Sequence, residues 1–232
     1  MDGPEHPAKY SKEIMEALAH LIDQYWHGVY YKMDMRVLDP MAGVGTIHQF
    51  AHDNIRTTGL EIEPEWAMQH PWTLEADATA IPYSDGYFDM VVFSPPYGNR
   101  MADQFEAKDT SKRITYMHFL GRRLHEDSAA GAHWGPKYWD LMHKVLVECK
   151  RVCLGPIIIN VSDFLRTVSK TRNRPGGQEQ VPVVQWYIDQ MHDLGYRVTM
   201  DLEIPTKRMK FGANAKLRVD CEHIIQFEKR RF

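Results

Sequence analysis

The most informative stretch of the sequence is an apolar strand that ends in a proline-rich turn, Phe88-Asp89-Met90-Val91-Val92-Phe93-Ser94-Pro95-Pro96-Tyr97. The two adjacent prolines fix their φ angles and remove two backbone N–H donors. The turn therefore presents carbonyl oxygens, the Ser94 hydroxyl and the Tyr97 ring at the carboxyl end of a buried strand. Open α/β sheets bind their ligands at this edge, so we predict a ligand site here.

The segments on both sides of this strand alternate between strand patterns and amphipathic helix patterns. We predict strands at 36–39, 57–62, 73–75, 88–93, 156–161, 196–204 and 217–227, and helices at 11–28, 46–54, 136–152 and 182–194, with a short helix that begins near Pro64. This alternation predicts one doubly wound, mostly parallel α/β sheet with helices on both faces. Residues 98–134 are polar and poorly periodic, so we expect them to form an insertion after the fourth strand.

The composition is that of an ordinary globular protein, with 44% hydrophobic and 25% charged residues and a formal net charge of −3. The three cysteines have no paired spacing, which argues against a disulfide framework and against a zinc site. No apolar run reaches the roughly 18 residues that span a membrane. The N-terminus lacks a signal-peptide pattern, so we expect a cytoplasmic protein.

Positive charge is concentrated in two predicted loops, at 166–180 and 205–218. Their basic residues include Lys170, Arg172, Arg174, Lys207, Arg208 and Lys210. This distribution indicates a localised contact with a polyanion. The alternative is that both loops are simply solvated and bind no partner.

A glycine-rich turn, Asp39-Pro40-Met41-Ala42-Gly43-Val44-Gly45-Thr46, lies between the first strand and the following helix. Glycines let the backbone approach a ligand, and we expect the helix N-terminus to supply free N–H groups. The turn matches the first two glycines of the dinucleotide fingerprint, but His48 stands where the third should be. This departure disfavours a nicotinamide cofactor, and no Gly-Lys-Ser/Thr phosphate loop is present.

Two acidic residues lie at the ends of the next two predicted strands. Glu61 ends the second strand, where a carboxylate can accept hydrogen bonds from both ribose hydroxyls of a nucleoside. Asp77, in Ala76-Asp77-Ala78, can accept a hydrogen bond from an adenine amino group. Each could alone be an exposed loop acid, but their order between the glycine-rich and proline-rich turns favours a nucleoside ligand.

These motifs resemble the S-adenosylmethionine-dependent methyltransferases that modify exocyclic amino groups of nucleic-acid bases. The segment Asp39–Thr46 resembles the cofactor loop of that family, and Ser94–Tyr97 resembles its catalytic motif. The segment His6–Ser11 resembles the N-terminal segment that closes over the methionine end of the cofactor. Tyr97–Asp103 further resembles small DNA methylases of bacteria and their phages. The chain departs from the family in having no large separate target-recognition domain.

The resemblance implies a single class I methyltransferase domain over 1–232, with a Rossmann-like, doubly wound, mostly parallel seven-stranded sheet. The insertion 98–134 would be its lid or target-recognition region. The implied catalytic residues are Ser94, Pro95, Pro96 and Tyr97. The implied S-adenosylmethionine-binding residues are Lys9, Tyr10, Asp39, Pro40, Ala42, Gly43, Gly45, Thr46, Glu61, Asp77, Ala78 and Ser94. DNA would contact Asn99, Arg100 and the basic loops, and no metal is implied.

The resemblance also implies a mechanism. Ser94 Oγ and the Pro95 carbonyl would accept the two hydrogens of an arylamine and align its nitrogen with the methyl donor. Tyr97 would stack on a base flipped out of double-stranded DNA. Serine at the first motif position favours cytosine N4 over adenine N6, and a cognate restriction endonuclease in a bacterial or phage setting would be a natural partner.

Three alternatives stay open at this point. The same turn chemistry serves RNA bases, so an RNA guanine- or adenine-amino methyltransferase is the second hypothesis. A non-catalytic nucleic-acid binder with the same fold is the third, and an NAD-dependent oxidoreductase is the last. Asn160 and Asp163, at the end of another predicted strand, are weaker site candidates.

Overall fold

A seven-stranded, mostly parallel sheet forms the centre of the protein. The structure is a computed structural model that describes residues 4, 6, 10–30, 33–96, 116–168, 170, 176–205 and 219–230. Within these residues, no helix has the length and apolar character that crossing a bilayer requires.

The strands follow one another in the chain as β1 Met35–Asp39, β2 Ile55–Glu61, β3 Thr73–Glu75, β4 Met90–Phe93, β5 Ile157–Val161, β6 Phe164–Val168, β7 Gly177–Val181, β8 Tyr196–Pro205 and β9 Cys221–Lys229. The main sheet has the order β3-β2-β1-β4-β5-β9-β8. Strands β1 to β5 pair in parallel, whereas β9 runs antiparallel to both β5 and β8. The predicted fold class is therefore confirmed.

The helices are α1 Lys12–Tyr25, α2 Pro64–Ala67, α3 Tyr116–Leu120, α4 Pro136–Val152 and α5 Val183–Asp193. Helix α1 begins as the sequence predicts, because the Ser11 side chain accepts a hydrogen bond from the Ile14 N–H at 3.3 Å. It continues into a π-helical turn, Trp26–Tyr30. Short 3₁₀ helices occupy Thr46–Phe50 and Ala129–Gly131.

The central strands β4 and β5 are buried on both faces of the sheet, which explains their continuous apolar runs. In β4, Val91 packs into the apolar cluster that contains α4 and α5, while Val92 packs into the cluster that contains α1. In β5, Ile159 and Ile158 divide between the same two clusters. This alternation follows from the two-residue period of a strand.

The strand order reverses between β1 and β4, which creates a crevice at their carboxyl ends. Strand β1 pairs with β2 on one side and with β4 on the other, with Leu38 opposite Val91. Asp39 and Ser94 therefore leave neighbouring strands at the same edge of the sheet. Ligands of open α/β sheets bind at such a switch point.

The segment after the glycine-rich turn is shorter than the predicted helix to residue 54. It forms only the 3₁₀ helix Thr46–Phe50. The His48 ring is fixed by its Nδ1, 2.8 Å from Thr57 Oγ1, and by its Nε2, 2.9 Å from Thr73 Oγ1. These bonds tie the helix to β2 and β3, and the antiparallel bridge from His52 to Ile55 returns the chain to β2 at once.

The predicted basic loop 166–180 contains two strands, so the loop prediction is wrong at both of its ends. Strands β6 and β7 pair antiparallel as a separate two-stranded sheet. Arg166 stands opposite Glu179, and its Nε lies 3.0 Å from Glu179 Oε2. Cross-strand pairing of opposite charges stabilises a hairpin. The positive charge and the glycine pair at 176–177 had masked this strand pattern.

Candidate active site

The glycine-rich turn after β1 folds back onto β2. The Ala42 N–H donates to the Leu60 carbonyl at 2.8 Å, and the Gly45 N–H donates to the Ala42 carbonyl at 2.9 Å. The Gly43 N–H donates to Glu61 Oε2 at 2.9 Å. Gly43 and Gly45 have φ angles of 55° and 82°, in the left-handed region that favours glycine. The N–H groups of Ala42, Gly43 and Gly45 are thus used within the protein.

Two buried carboxyl groups flank this turn. Asp39, 3% exposed, accepts a hydrogen bond from the Met41 N–H, and Glu61, 8% exposed, accepts from the Gly43 and Glu63 N–H groups. Burial raises the pKa of Asp39 to about 7, against the effect of the Met41 N–H. Burial likewise raises the pKa of Glu61 to about 7. Such carboxyls are stabilised by a nearby cation or by hydroxyl donors, and they repel a phosphate.

Three aromatic side chains from distant segments gather beside Glu61. The ring centroid of His6 lies 4.5 Å from that of Trp66 and 5.2 Å from that of Tyr116. A Cβ atom at Gly43 would lie 3.1 Å from His6 Nε2, so the imidazole rests on the glycine-rich turn. Burial, and then the charge of Glu61, raises the pKa of Tyr116. Trp66 and Tyr116 were missed by the sequence analysis, because no local pattern links three single aromatics in remote segments.

Arg122, which follows α3, connects this part of the chain to α2 through hydrogen bonds and ion pairs. Its Nε lies 2.7 Å from Glu65 Oε1, its Nη2 also bonds the Glu65 carboxylate, and the same Nη2 forms an ion pair with Glu63 Oε2 at 2.8 Å. The His125 N–H donates to Glu63 Oε1 at 2.7 Å. These bonds hold the last part of the predicted insertion against Glu63 and the start of α2.

Asp77 follows β3 in a tight turn. Its Oδ1 accepts the Thr79 N–H at 2.8 Å, and its Oδ2 accepts the Thr79 hydroxyl at 2.7 Å. Its neighbour Ala78 is buried. Each carboxylate oxygen has a second lone pair, so Asp77 can still accept a hydrogen bond from a ligand.

The proline-rich turn is anchored by two buried tyrosines. The Tyr138 hydroxyl donates to the Pro96 carbonyl at 2.7 Å and lies 2.9 Å from the Tyr187 hydroxyl. Burial raises the pKa of Tyr138, so its hydroxyl stays neutral and can donate. The Pro96 carbonyl therefore holds the turn in place, and Ser94 Oγ and the Pro95 carbonyl stay the predicted acceptors for a substrate. The sequence analysis assigned Tyr138 only to the apolar face of a helix.

Asn160 lies near the carboxyl end of β5, directly beside the proline-rich turn. Its Nδ2 lies 3.5 Å from Ser94 Oγ and 3.0 Å from Glu222 Oε2. Asp163, the other weak candidate, has a structural role, because its Oδ1 accepts the Val184 N–H at 2.8 Å in the first turn of α5. Glu222, at the start of β9, was missed by the sequence analysis.

The structure places the other predicted residues only in part. Tyr10 is half-buried against the apolar cluster that contains α1 and Ala42. Lys170 is exposed beside the β6–β7 hairpin. Its backbone nitrogen would lie 3.0 Å from a Cβ atom added at Gly176. Outside the described residues lie Lys9, Tyr97, Asn99, Arg100, Arg172, Arg174, Lys207, Arg208 and Lys210, together with 98–115 and most of the loop 205–218.

No protein-family model matches the sequence, and no curated protein matches it. The fold is similar to that of an S-adenosylmethionine-dependent methyltransferase from Methanosarcina mazei, with a TM-score of 0.52 and 12% sequence identity over 90% of this chain and 96% of that chain. It is also similar to an S-adenosylmethionine-dependent methyltransferase from Clostridium acetobutylicum, with a TM-score of 0.52 and 9% identity over 92% of this chain and 91% of that chain. A third similar structure is that of magnesium protoporphyrin IX methyltransferase from Synechocystis with bound SAH. Its TM-score is 0.50 and its sequence identity is 12%, over 96% of this chain and 89% of that chain. At these identities the similarity establishes the Rossmann-like class I methyltransferase fold.

Proposed function

We propose that this chain is an S-adenosylmethionine-dependent methyltransferase that modifies an exocyclic amino group of a DNA base. The observation that carries the proposal is the position of the proline-rich turn. Ser94 Oγ and the Pro95 carbonyl offer hydrogen-bond acceptors at the end of β4, next to the strand that leads into the acid-lined glycine-rich turn. Acceptors for an amine and a site for a cationic ligand thus share the switch point of the sheet.

The residues of this region fit S-adenosylmethionine, which carries a sulfonium cation, better than a dinucleotide. Glu61 can accept hydrogen bonds from ribose hydroxyls, Asp77 can accept one from an adenine amino group, and the buried Asp39 favours positive charge. The Trp66 Nε1 is buried and donates to none of the residues described, so a ligand oxygen beside that ring would satisfy it. When bound, the cofactor supplies an electrophilic methyl group.

The side chains at the proline-rich turn would position the amine. The lone pair of an arylamine is delocalised into its ring, so the nitrogen is a poor nucleophile. Acceptance of its two hydrogens by Ser94 Oγ and the Pro95 carbonyl would draw the nitrogen towards a tetrahedral geometry and stabilise its developing positive charge. Tyr138 would hold the turn in place through the Pro96 carbonyl.

The choice of DNA rests on the resemblance and on the basic segments. We expect Tyr97 to stack on the flipped base, which costs a few kcal/mol to extrude. Asn99 and Arg100 would line the pocket, while the basic residues of 166–180 and 205–218 would bind phosphates. Ser94 favours cytosine N4 over adenine N6. The proposal includes one catalytic domain over 1–232, a bacterial or phage cytoplasmic setting and a cognate restriction endonuclease.

The experiment is methyl transfer from labelled S-adenosylmethionine to unmodified double-stranded DNA, followed by digestion and mass spectrometry of the nucleosides. N4-methylcytosine is the expected product. N6-methyladenine would still support a DNA amino-methyltransferase, with adenine as the target base. Label in RNA alone would replace DNA with RNA as the substrate. Binding of the cofactor without transfer to either would contradict the catalytic proposal.

Ser94→Ala removes one amine acceptor without touching the glycine-rich turn. We expect kcat to fall by about 100-fold or more, with cofactor Kd unchanged within about twofold. Ser84→Ala is the matched control, because Ser84 is exposed and precedes β4 at its opposite end. Full activity of Ser94→Ala would remove Ser94 from the catalytic site.

A further inference from the structure

Asn160 is a buried amide whose hydrogen-bonding groups are only partly used inside the protein. It is 2% exposed, and its Nδ2 carries two hydrogens. One can donate to Glu222 Oε2 at 3.0 Å and the other to Ser94 Oγ at 3.5 Å. Its Oδ1 is buried and accepts no hydrogen bond from the described residues.

The sheet register explains why these three side chains meet. Ile159 pairs with Phe93, so Asn160 lies beside Ser94 at the ends of β5 and β4. Asn160 also stands opposite Ile224 on β9, and Glu222 is two residues before Ile224 on the same face. The pairing of β5 with β9 thus connects the Glu222 carboxylate to the Ser94 hydroxyl through two hydrogen bonds of the Asn160 amide.

The chemistry of Glu222 fixes the orientation of the Asn160 amide. A carboxylate accepts hydrogen bonds and cannot donate them, so Nδ2 must face Glu222. A hydrogen bond to a charged acceptor is stronger than one between neutral groups, which holds the amide in this orientation. The remaining Nδ2 hydrogen is then directed towards Ser94.

An orphaned buried acceptor destabilises a fold, and native proteins have few of them. An apolar side chain of similar volume at position 160 would avoid that cost. Groups that break the rules of stability in this way are expected at functional sites. The amide is thus better explained by its contact with Ser94 than by a contribution to the core.

We propose that Asn160 and Glu222 are positioning residues of the methyl-transfer site. Asn160 fixes the Ser94 hydroxyl so that its free lone pair faces the amine. Glu222 orients the amide and adds negative charge near the nitrogen that becomes positive during transfer. Neither residue takes up a proton. This inference rests on the proposed function, because it assigns roles within the same reaction.

The first test is Asn160→Leu, assayed for methyl transfer and for thermal stability. We expect kcat to fall by about 100-fold, while KM for the cofactor and for DNA changes by less than about twofold. The Tm should change little, because the loss of the Nδ2 hydrogen bonds is offset by removal of the orphaned acceptor, and the partly exposed Glu222 can be solvated. A loss of activity accompanied by a marked fall in Tm would show that the amide merely supports the fold, and would overturn the inference.

The second test is Glu222→Gln, which retains an oxygen that can accept the Nδ2 hydrogen but removes the charge. We expect kcat to fall by about fivefold to tenfold with both KM values unchanged, since Glu222 is partly exposed and its charge is screened. Glu228→Gln, near the other end of β9, is the matched control and should behave as wild type.

The outcomes separate the inference from the function on which it rests. Wild-type turnover by both Asn160→Leu and Glu222→Gln would overturn the inference and leave the proposed function intact. Normal turnover by Glu222→Gln alone would overturn the role of the carboxylate. If the wild-type protein methylated neither DNA nor RNA, the proposed function would fail and the inference with it.

Discussion

Replacing Tyr138 with phenylalanine tests whether the proline-rich turn must be held in place. The change removes only a hydroxyl, which bonds the Pro96 carbonyl at 2.7 Å and the Tyr187 hydroxyl at 2.9 Å. A buried hydrogen bond contributes about 1 kcal/mol, so the loss of two should lower the free energy of unfolding by about 2 kcal/mol. In a chain of this size the corresponding fall in Tm is roughly 4–8 °C.

The effect on activity should exceed the effect on stability. Without its fixed donor the Pro96 carbonyl is released, and the neighbouring acceptors shift with it. A misplacement of about 1 Å can cost about 100-fold in rate, so we expect kcat to fall by about 10- to 100-fold. Cofactor Kd should change by less than about twofold, because the hydroxyl that is removed bonds Pro96 and Tyr187 and not the glycine-rich turn.

Tyr187→Phe is the matched control for this prediction. It removes the same bond between the two tyrosine hydroxyls and leaves the contact from Tyr138 to Pro96 in place. We expect it to lower the free energy of unfolding by about 1 kcal/mol and to keep kcat within about threefold of wild type. Both variants would be assayed for methyl transfer at saturating cofactor and for Tm. Equal losses of activity in the two variants, or wild-type turnover by Tyr138→Phe, would refute the reasoning.

Two further predictions concern the glycine-rich turn. Burial raises the pKa of Asp39 and of Glu61 to about 7, whereas a bound cation with hydroxyl donors favours their ionised forms, so S-adenosylmethionine should bind about tenfold more tightly at pH 8 than at pH 6. Calorimetry in buffers of different ionisation enthalpy should detect proton release on binding at pH 6, and a pH-independent Kd would contradict the assignment. Gly59→Ala would place a Cβ 2.7 Å from the Ala42 Cβ, so we expect it to lower the free energy of unfolding by about 1–3 kcal/mol in denaturant titrations. Gly28→Ala, with no atom within 4 Å of its Cβ, should not be destabilised in this way, and equal stability of the two variants would argue against the close approach.

The sequence predicted those parts of the fold whose determinants are local. The apolar positions of the helix Pro136–Val152 recur at helical spacing, so its bounds were predicted correctly. The short edge strand Thr73–Glu75 was also placed correctly. The role of Tyr138 could not be predicted, because its hydroxyl meets a carbonyl 42 positions away in the chain. Asn160 was only a weak candidate, because its importance depends on Glu222, which the register of an antiparallel pair brings to it.

His48, which in the sequence disfavours a nicotinamide cofactor, also helps to explain the electrostatics of the site. A dinucleotide fold binds pyrophosphate at a long helix whose first N–H groups are free. Here His48 replaces the third glycine, and its bonds to Thr57 and Thr73 limit the helix to a 3₁₀ segment of five residues, too short for a developed dipole. The Gly43 N–H, which could still have faced an anion, is taken by Glu61. The turn thus offers little to a phosphate and is flanked by buried carboxyl groups, and both features favour a cationic nucleoside.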